Sequence, residues 1–198
     1  MLLYKYRGLA NLQYALDIFV NGRMHAAEFT KLNDPMEGIY TYDPSQVSGQ
    51  VVNSIWHSKA SYRILSLSET PNNMLMWSYY AEAHTGMVVG VIVSPEATVK
   101  PVEYVEHLAI DTPPCAEVAR DILSKKLKPW AHEKEQRAFI RNQDFISVEV
   151  RELIFGLKTN EPRKNLITKV AEKFCSNITV RTIALDEINK GTRGELDA

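Results

Sequence analysis

The chain has 198 residues, of which 45% are hydrophobic, and its 23 basic and 24 acidic residues nearly cancel. A chain of this length and apolar content can bury one sizeable core, so we expect one globular domain over residues 1–185. The polar, glycine-containing residues 186–198 are expected to form a C-terminal tail. The balanced charge gives no global electrostatic argument for binding nucleic acid or an anionic membrane.

Several classes of site and location are excluded by missing patterns. No apolar run approaches the length that a bilayer requires, and residues 1–8 lack the apolar segment of a secretory signal, so we expect a soluble cytoplasmic protein that does not bind membranes. Cys115 and Cys175 have no CxxC spacing, which argues against a zinc knuckle or a disulfide framework. The five histidines are scattered, so no metal site is predicted. Walker, GxGxxG, HExxH and GxSxG motifs are absent.

Strand-like and helix-like patterns alternate irregularly along the chain. The predicted strands are 2–7, 24–29, 64–68, 87–93, 99–105, a strand leading to Ile140, an alternating segment 146–150 and a short strand 153–156, with a closing segment 178–185. The predicted helices are 12–20, 44–58, a short one opening the segment 74–93, 116–127 and 162–174, with turns at 33–35, 70–73 and 111–114. The strands outnumber the helices and the connections vary in length. This favours an α+β fold with a mixed, largely antiparallel sheet and flanking helices.

The stretch Met74–Val93 carries more information than any other. Its first half places Leu75, Trp77 and Tyr80 at intervals close to a helical period, which predicts a short helix with an apolar stripe. We expect Gly86 to end this helix.

A β-branched run, Met87–Val93, follows and is typical of a central strand buried on both faces. The helix should therefore bring His84 and Thr85 to the mouth of a core strand, where polar groups are well placed to bind a ligand. In the alternative interpretation, Trp77, Tyr79 and Tyr80 are simply core aromatic residues.

The first polar constellation lies in the N-terminal strand. Alternation puts Tyr4 and Tyr6 on one face, and Lys5 and Arg7 on the other. An arginine on a well-packed strand is suited to recognise phosphate or carboxylate through two hydrogen bonds. The alternative is a surface arginine at a strand end.

The second constellation is the sequence Asn33, Asp34, Pro35 with Glu37 close behind. Asn and Asp bond their own backbone and Pro fixes φ, so a tight turn accounts for the pattern without any further role. We predict in addition that Asp34 or Glu37 faces the same cleft as His84.

The third constellation joins Trp130 with Glu133, Glu135 and Arg137. If the strand has already begun at Glu133, the three charges share one face. Two carboxylates and an arginine are costly to bury unless they pair or bind something. A solvated edge strand is the alternative.

The ordered pieces LYKYR, LNDPME, SLSE, LMWSYYAEAHTGMVVGV, VEY and WAHEKEQRAF resemble the prokaryotic family catalogued as domain of unknown function 2971, over residues 2–157. Leu32 and Met36 stand where the family more commonly has phenylalanine, and Tyr79 stands where histidine is frequent. The positions that match its polar pattern are Asn33, Asp34, Glu37, Trp77, Tyr80, His84, Gly86, Trp130, Glu133, Glu135 and Arg137.

The layout is also similar to ADP-ribosyltransferase-like domains, with an arginine on the first strand, an Asn-Leu helix start, an Asn-Gly turn and a late glutamate before a strand. This resemblance implies such a fold and NAD as substrate, with Glu135 stabilising the oxocarbenium-like centre and an aromatic residue stacked on nicotinamide. The implied catalytic residues are Glu135, Glu133 and His84. The implied NAD-binding residues are Tyr6, Arg7, Asn33, Asp34, Trp77, Tyr80, Trp130 and Arg137.

Two classes of function follow. One is an ADP-ribosyltransferase-like enzyme or NAD glycohydrolase, acting as a toxin or phage-defence effector on a protein or nucleic-acid acceptor. The other is a non-catalytic sensor or adaptor that binds a nucleotide, a peptide or a nucleic-acid end. Convergence of Arg7, Trp77, His84 and Glu135 in one cleft would favour the enzyme, and we predict Trp77 to be partly exposed to a pocket. A Glu135–Arg137 pair on a solvated edge would favour the sensor.

Overall fold

A computed structural model describes residues 1–43, 45, 47–109 and 118–188. It contains both helices and a largely antiparallel sheet, so the predicted α+β class is confirmed. The chain divides into two compact units. Unit 1 consists of Met1–Met24, Leu67–Pro95 and the chain from Ser147 onward, and unit 2 of His25–Ser66 and Glu96–Ile146. The single domain over 1–185 stays a prediction.

The elements are numbered in chain order. The strands are β1 (Leu3–Arg7), β2 (Arg23–His25), β3 (Tyr62–Ser68), β4 (Met87–Val93), β5 (Thr98–Pro101), β6 (Glu103–Val105), β7 (Lys125–Leu127), β8 (Glu135–Arg141), β9 (Phe145–Phe155) and β10 (Thr179–Thr182). The helices are α1 (Leu12–Asn21), α2 (Gly49–Ala60), α3 (Met74–Tyr80), α4 (Val118–Ile122) and α5 (Glu161–Phe174), with 3₁₀ helices at Phe29–Lys31 and Lys128–Glu133.

Unit 1 is built around β4. The strand order is β10, β9, β4, β1 and the end of β3, and only the β10–β9 pair is parallel. Residues 87–91 of β4 are buried, and the strand has a neighbour on each side. The predicted central strand is therefore confirmed. Its β-branched residues pack well on both faces of a covered sheet, which explains why this segment takes the central position.

Unit 2 holds the strand order β3, β8, β5, in which β5 and β8 are antiparallel, together with the parallel pair β6–β7. Its core packs Phe29, Tyr62, Ile64, Leu123 and Phe139 against one another. Residues 135–140 of β8 are all buried, whereas every second side chain of a half-exposed strand would face solvent. This strand therefore carries charged residues into the interior.

Two predicted strands have wrong boundaries. The strand predicted over 24–29 ends at His25, and the 3₁₀ helix Phe29–Lys31 takes over its last position. The strand predicted over 99–105 is two strands. The first, β5, pairs with β8 and ends at Pro101, and the second, β6, pairs with β7. Hydrophobic alternation does not reveal such a change of partner.

Two further boundaries differ toward the C-terminus. The helix predicted over 116–127 ends at Ile122, because the following residues form β7 and pair with β6. The turn at 111–114 and the first residues of that helix lie outside the described residues. The segments 146–150 and 153–156 are one continuous strand, β9.

The predicted helices α1 and α5 are confirmed, and α2 begins at Gly49 rather than at Pro44, which lies outside the described residues. Asn11 precedes α1 without a side-chain capping bond, and Gly22 ends that helix in the left-handed conformation. In the region predicted as a tail, Ile188 is buried, and residues 189–198 lie outside the description. No helix in the described part of the chain is long and apolar enough to cross a membrane.

Candidate functional site

Arg137 is the centre of a buried charge cluster in unit 2. Its guanidinium is completely buried and donates two hydrogen bonds to Glu37, at 2.6 and 2.8 Å, and two to Glu135, at 2.8 and 3.0 Å. A fifth bond of 2.7 Å reaches the carbonyl oxygen of Leu123. Because a guanidinium has five N–H donors, this arginine is fully satisfied.

Lys126 is the second cation of the cluster. Its Nζ lies 2.6 Å from Glu133, 3.5 Å from Glu135 and 3.6 Å from Glu37, and 4.7 Å from the ring centroid of Trp130. Three carboxylates therefore share two cations in a region with almost no solvent exposure. Such a network is stable only while its members remain paired.

The charges of the cluster act differently on its two central carboxylates. Burial opposes ionisation of Glu135, but the charge and hydrogen bonds of Arg137, helped by Lys126, prevail and lower its pKa to about 2. For Glu37 burial is the stronger effect, and its pKa is raised above the usual range in spite of Arg137. Glu135 is therefore a buried, ionised carboxylate at neutral pH, and both of its oxygens are bonded.

The structure corrects the strand start assumed in one interpretation of this segment. Glu133 ends a 3₁₀ helix, Lys134 has a φ of 45°, and β8 begins only at Glu135. Glu133 nevertheless reaches the cluster from that turn. The alternative of a solvated edge is also wrong, since Glu133, Glu135 and Arg137 are all buried. Lys126 was missed, because the segment that carries it was predicted to be helical.

The predicted turn at Asn33, Asp34 and Pro35 is confirmed. Asp34 accepts a hydrogen bond on its side chain from the Met36 N–H at 2.9 Å, and its carbonyl oxygen accepts one from the Glu37 N–H at 3.1 Å. The turn thereby aims Glu37 at the charge cluster. A cleft shared with His84, which belongs to unit 1, stays a prediction.

A strained turn in unit 1 replaces the last part of the predicted central helix. α3 ends at Tyr80 rather than at Gly86, and Glu82, Ala83 and His84 have φ values of 48°, 49° and 69°. His84 therefore lies on a left-handed turn and not on a helix. Left-handed backbone costs an L-residue roughly 1–2 kcal/mol, and such strain clusters at functional sites.

The turn is held from outside by neighbouring backbone. The Glu82 carboxylate accepts hydrogen bonds from the N–H groups of Leu9 and Ala10, at 2.9 and 2.7 Å. The Gly86 N–H donates to the carbonyl oxygen of Ala81 at 2.8 Å. The bonds from Leu9 and Ala10 fix the turn against the segment that joins β1 to α1, and the bond from Gly86 closes the turn itself.

Two glycines let the backbones of Arg7 and His84 approach the same corner. A Cβ on Gly86 would lie 2.3 Å from the Arg7 carbonyl oxygen, and a Cβ on Gly156 would lie 2.2 Å from the His84 carbonyl oxygen. The Gly156 N–H also donates to the Gly86 carbonyl oxygen at 3.0 Å. Any larger residue at either glycine would push the corner apart.

Two residues whose backbones meet at this corner, Arg7 and His84, each carry a buried side-chain nitrogen that lacks a partner. Among the residues that the structure describes, no hydrogen-bond partner reaches Arg7 Nε or His84 Nδ1. The pKa of His84 is lowered by burial and by the charge of Lys158, and burial also lowers the pKa of Arg7. An unsatisfied buried polar group in a folded protein calls for an explanation, and a ligand is one.

The aromatic residues predicted to line the pocket belong to the core of unit 1. Trp77 is completely buried, so its predicted exposure is wrong, and its indole N–H donates to the Pro71 carbonyl oxygen at 2.7 Å. Tyr6 meets Trp77 edge-on at 5.5 Å and donates its hydroxyl to the Thr70 carbonyl oxygen. Tyr80 packs against the same cluster. Apolar packing and internal hydrogen bonds account for these three residues. The His84 ring stacks on Trp77, with the two ring centroids 5.8 Å apart.

Searches against protein-family models, curated proteins and solved structures found no match to this chain. Within residues 1–43, 45, 47–109 and 118–188, no group of three His, Cys, Asp or Glu side chains could hold a metal ion.

Proposed function

We propose that this protein is a cytoplasmic nucleotide-binding protein, with NAD as the first candidate ligand. The ligand's phosphate would lie at a site that we call the Arg7–His84 corner, made of Arg7, the turn Glu82–His84, and Gly86. The observation that carries the proposal is that Arg7 Nε and His84 Nδ1 are buried and meet no partner in the described chain, on two residues whose backbones meet at this corner.

A phosphate fits these atoms chemically. A buried N–H without an acceptor costs about 1–3 kcal/mol, and a phosphate oxygen would recover this loss at Arg7. Lys158 adds positive charge near His84. The nearby Glu82 carboxylate already accepts two backbone hydrogen bonds, which reduces its repulsion of an anion. The strain stored in the left-handed turn is also accounted for if it presents His84 to a ligand.

Binding to the Arg7–His84 corner should involve a proton. The pKa of His84 is lowered in the free protein, so its ring is neutral at neutral pH, and a bound phosphate would favour the protonated ring. Proton uptake on binding means that affinity for NAD should rise as the pH falls from 8 to 6. Calorimetric titrations at several pH values would measure this trend, and His84→Gln should flatten it. A wild-type affinity that is constant over this range would contradict the proposed role of His84.

The binding function is tested by thermal shift with NAD, AMP, pyrophosphate and short oligonucleotides. A ligand at about 100 times its dissociation constant should stabilise the folded protein by roughly 2.7 kcal/mol. Arg7→Gln should weaken binding at least about tenfold, the scale of one charge-assisted hydrogen bond. The matched control is Arg141→Gln, which removes a partly exposed arginine that is already bonded to Tyr62. Equal ligand shifts in Arg7→Gln and wild type would sink the proposal.

A second proposal is ADP-ribosyl transfer or NAD hydrolysis at Glu135, in a toxin or phage-defence effector. The bond between nicotinamide and ribose C1′ would break, nicotinamide would leave with the electron pair, and an acceptor or water oxygen would bond to C1′ and lose its proton. The ionised state of Glu135 favours this proposal, because a carboxylate offsets the positive charge that develops on the ribose. Its two hydrogen bonds with Arg137 would have to loosen for substrate to approach.

Parallel variants separate the two carboxylates and the two functions. Glu135→Gln should lower nicotinamide release by about 10²–10³ if that carboxylate stabilises the transition state, and Glu133→Gln should have a smaller effect. Because each carboxylate belongs to a buried cluster, both variants must first be shown to be folded at the temperature of the assay. Wild-type protein that binds NAD without releasing nicotinamide would remove the transferase proposal and leave the binding function intact.

A further inference from the structure

We infer that Tyr14 is the platform on which the base of the bound nucleotide stacks. This inference rests on the proposed binding function and names the part of the ligand that the Arg7–His84 corner does not hold.

Tyr14 is an exposed aromatic residue without a packing role in its helix. The buried face of α1 consists of Ala15, Ile18 and Phe19, whereas the Tyr14 side chain is 59% exposed. A large aromatic ring on the solvent side of a helix has a flat face free to take a planar group. Aromatic rings of this kind bind nucleobases of any sequence by stacking.

Tyr14 also lies next to the proposed phosphate ligand. The guanidinium carbon of Arg7 lies over one face of the Tyr14 ring, 6.0 Å from the ring centroid. A base would therefore stack on the opposite face, and the ribose would pass the edge of the ring to bring the phosphate to Arg7. Arg7 and Tyr14 thus offer one cation and one stacking surface side by side.

The neighbouring charges favour a nucleotide over a bare anion. Asp17 lies one helical turn after Tyr14, and its charge acts on Arg7. Its carboxylate is bonded to Arg23 at 3.2 Å, which lowers its pKa and keeps it ionised. This negative charge weakens the attraction of Arg7 for any phosphate, but the carboxylate can accept hydrogen bonds from ribose hydroxyl groups, which a bare anion lacks, as acidic residues do in other nucleotide sites.

The test compares AMP with pyrophosphate by calorimetry on the full chain. Tyr14→Ala should weaken AMP binding roughly tenfold to a hundredfold, the scale of one lost base stack, and should leave pyrophosphate affinity within about twofold. Tyr14→Phe keeps the ring and should retain AMP affinity. The control is Tyr79→Ala, which removes a tyrosine that is 65% exposed on α3 and should change neither affinity.

The outcomes separate the two proposals. If pyrophosphate and AMP bind the wild type and Tyr14→Ala weakens neither, the stacking role is overturned while the binding function stands. If Tyr14→Ala weakens both ligands equally, Tyr14 only supports Arg7, and the stacking role is again overturned. If neither ligand binds the wild type, the binding function fails for these ligands, and the inference that depends on it fails as well.

Discussion

At the scale of single residues, Arg137 shows what a local pattern can and cannot reveal. The spacing of Glu133, Glu135 and Arg137 indicated that three charges would act together, and they do. Glu37, which pairs with Arg137, lies 100 positions away from it in the chain, and no local period points to it. The partner was singled out only because its turn carried a separate signal, the Asn-Asp-Pro sequence.

Arg137→Met should be strongly destabilising. It would leave Glu37 and Glu135 buried without their principal partner, and breaking a buried ion pair from one side costs about 3–5 kcal/mol. Urea denaturation at neutral pH measures this loss. Arg63→Met is the control, because Arg63 pairs with the more exposed Glu28 and Asp144 and its loss should cost about 1 kcal/mol or less. Equal losses in the two variants would contradict the role assigned to Arg137.

At the scale of elements, the left-handed turn is where periodicity failed. The apolar spacing of Leu75, Trp77, Tyr80 and Ala83 continues past the end of α3, so the pattern predicted a helix up to Gly86. A hydrophobic pattern records which faces are buried and carries no information on the sign of φ. Neither glutamate nor alanine is typical of left-handed backbone, so no residue marked the turn.

Ala83→Gly tests whether the turn is strained. The Ala83 side chain is exposed and its φ is 49°, so removing its Cβ should relieve strain and stabilise the fold by about 1 kcal/mol. Ala60→Gly, at the exposed last residue of α2, has no left-handed backbone to relieve and should instead lose stability, because glycine gives the unfolded chain more conformational freedom. Chemical denaturation of both variants measures the difference. A loss of stability in Ala83→Gly as large as that in Ala60→Gly would show that the turn stores no strain.

At the scale of the whole molecule, the sequence predicted the fold class and the elements with strong local periods. α1, α5 and β4 were predicted because their side chains repeat regularly and clear turn or capping residues bound them. The partners of the strands were not predicted, since pairings such as β4 with β9 and β6 with β7 depend on long-range packing. The exposure of Trp77 to a pocket was predicted wrongly. The sequence does not show that its indole N–H finds a backbone acceptor, the Pro71 carbonyl oxygen, which allows the ring to be buried.

The acid stability of the molecule should depend on Glu135. Its pKa is about 2 in the folded state and 4.5 in an unperturbed side chain, so the unfolded chain takes up the proton first on acidification. The stabilisation is complete above pH 4.5 and is lost as the pH falls toward 2. Denaturation at a series of pH values should show a steeper acid loss in wild type than in Glu135→Gln. Glu37→Gln should instead show a steeper acid loss of stability than wild type. The raised pKa of Glu37 favours the folded state as the pH falls, and the variant lacks this contribution. Parallel acid curves for wild type and Glu135→Gln would contradict the assigned pKa.

A crystal structure of the protein with NAD tests the central claim most directly. The account predicts a phosphate oxygen within about 3 Å of Arg7 Nε, with the His84 ring turned toward the same phosphate and the five hydrogen bonds of Arg137 unchanged. NAD seated against Glu135, with Arg137 displaced and Arg7 Nε making no contact with the ligand, would contradict it.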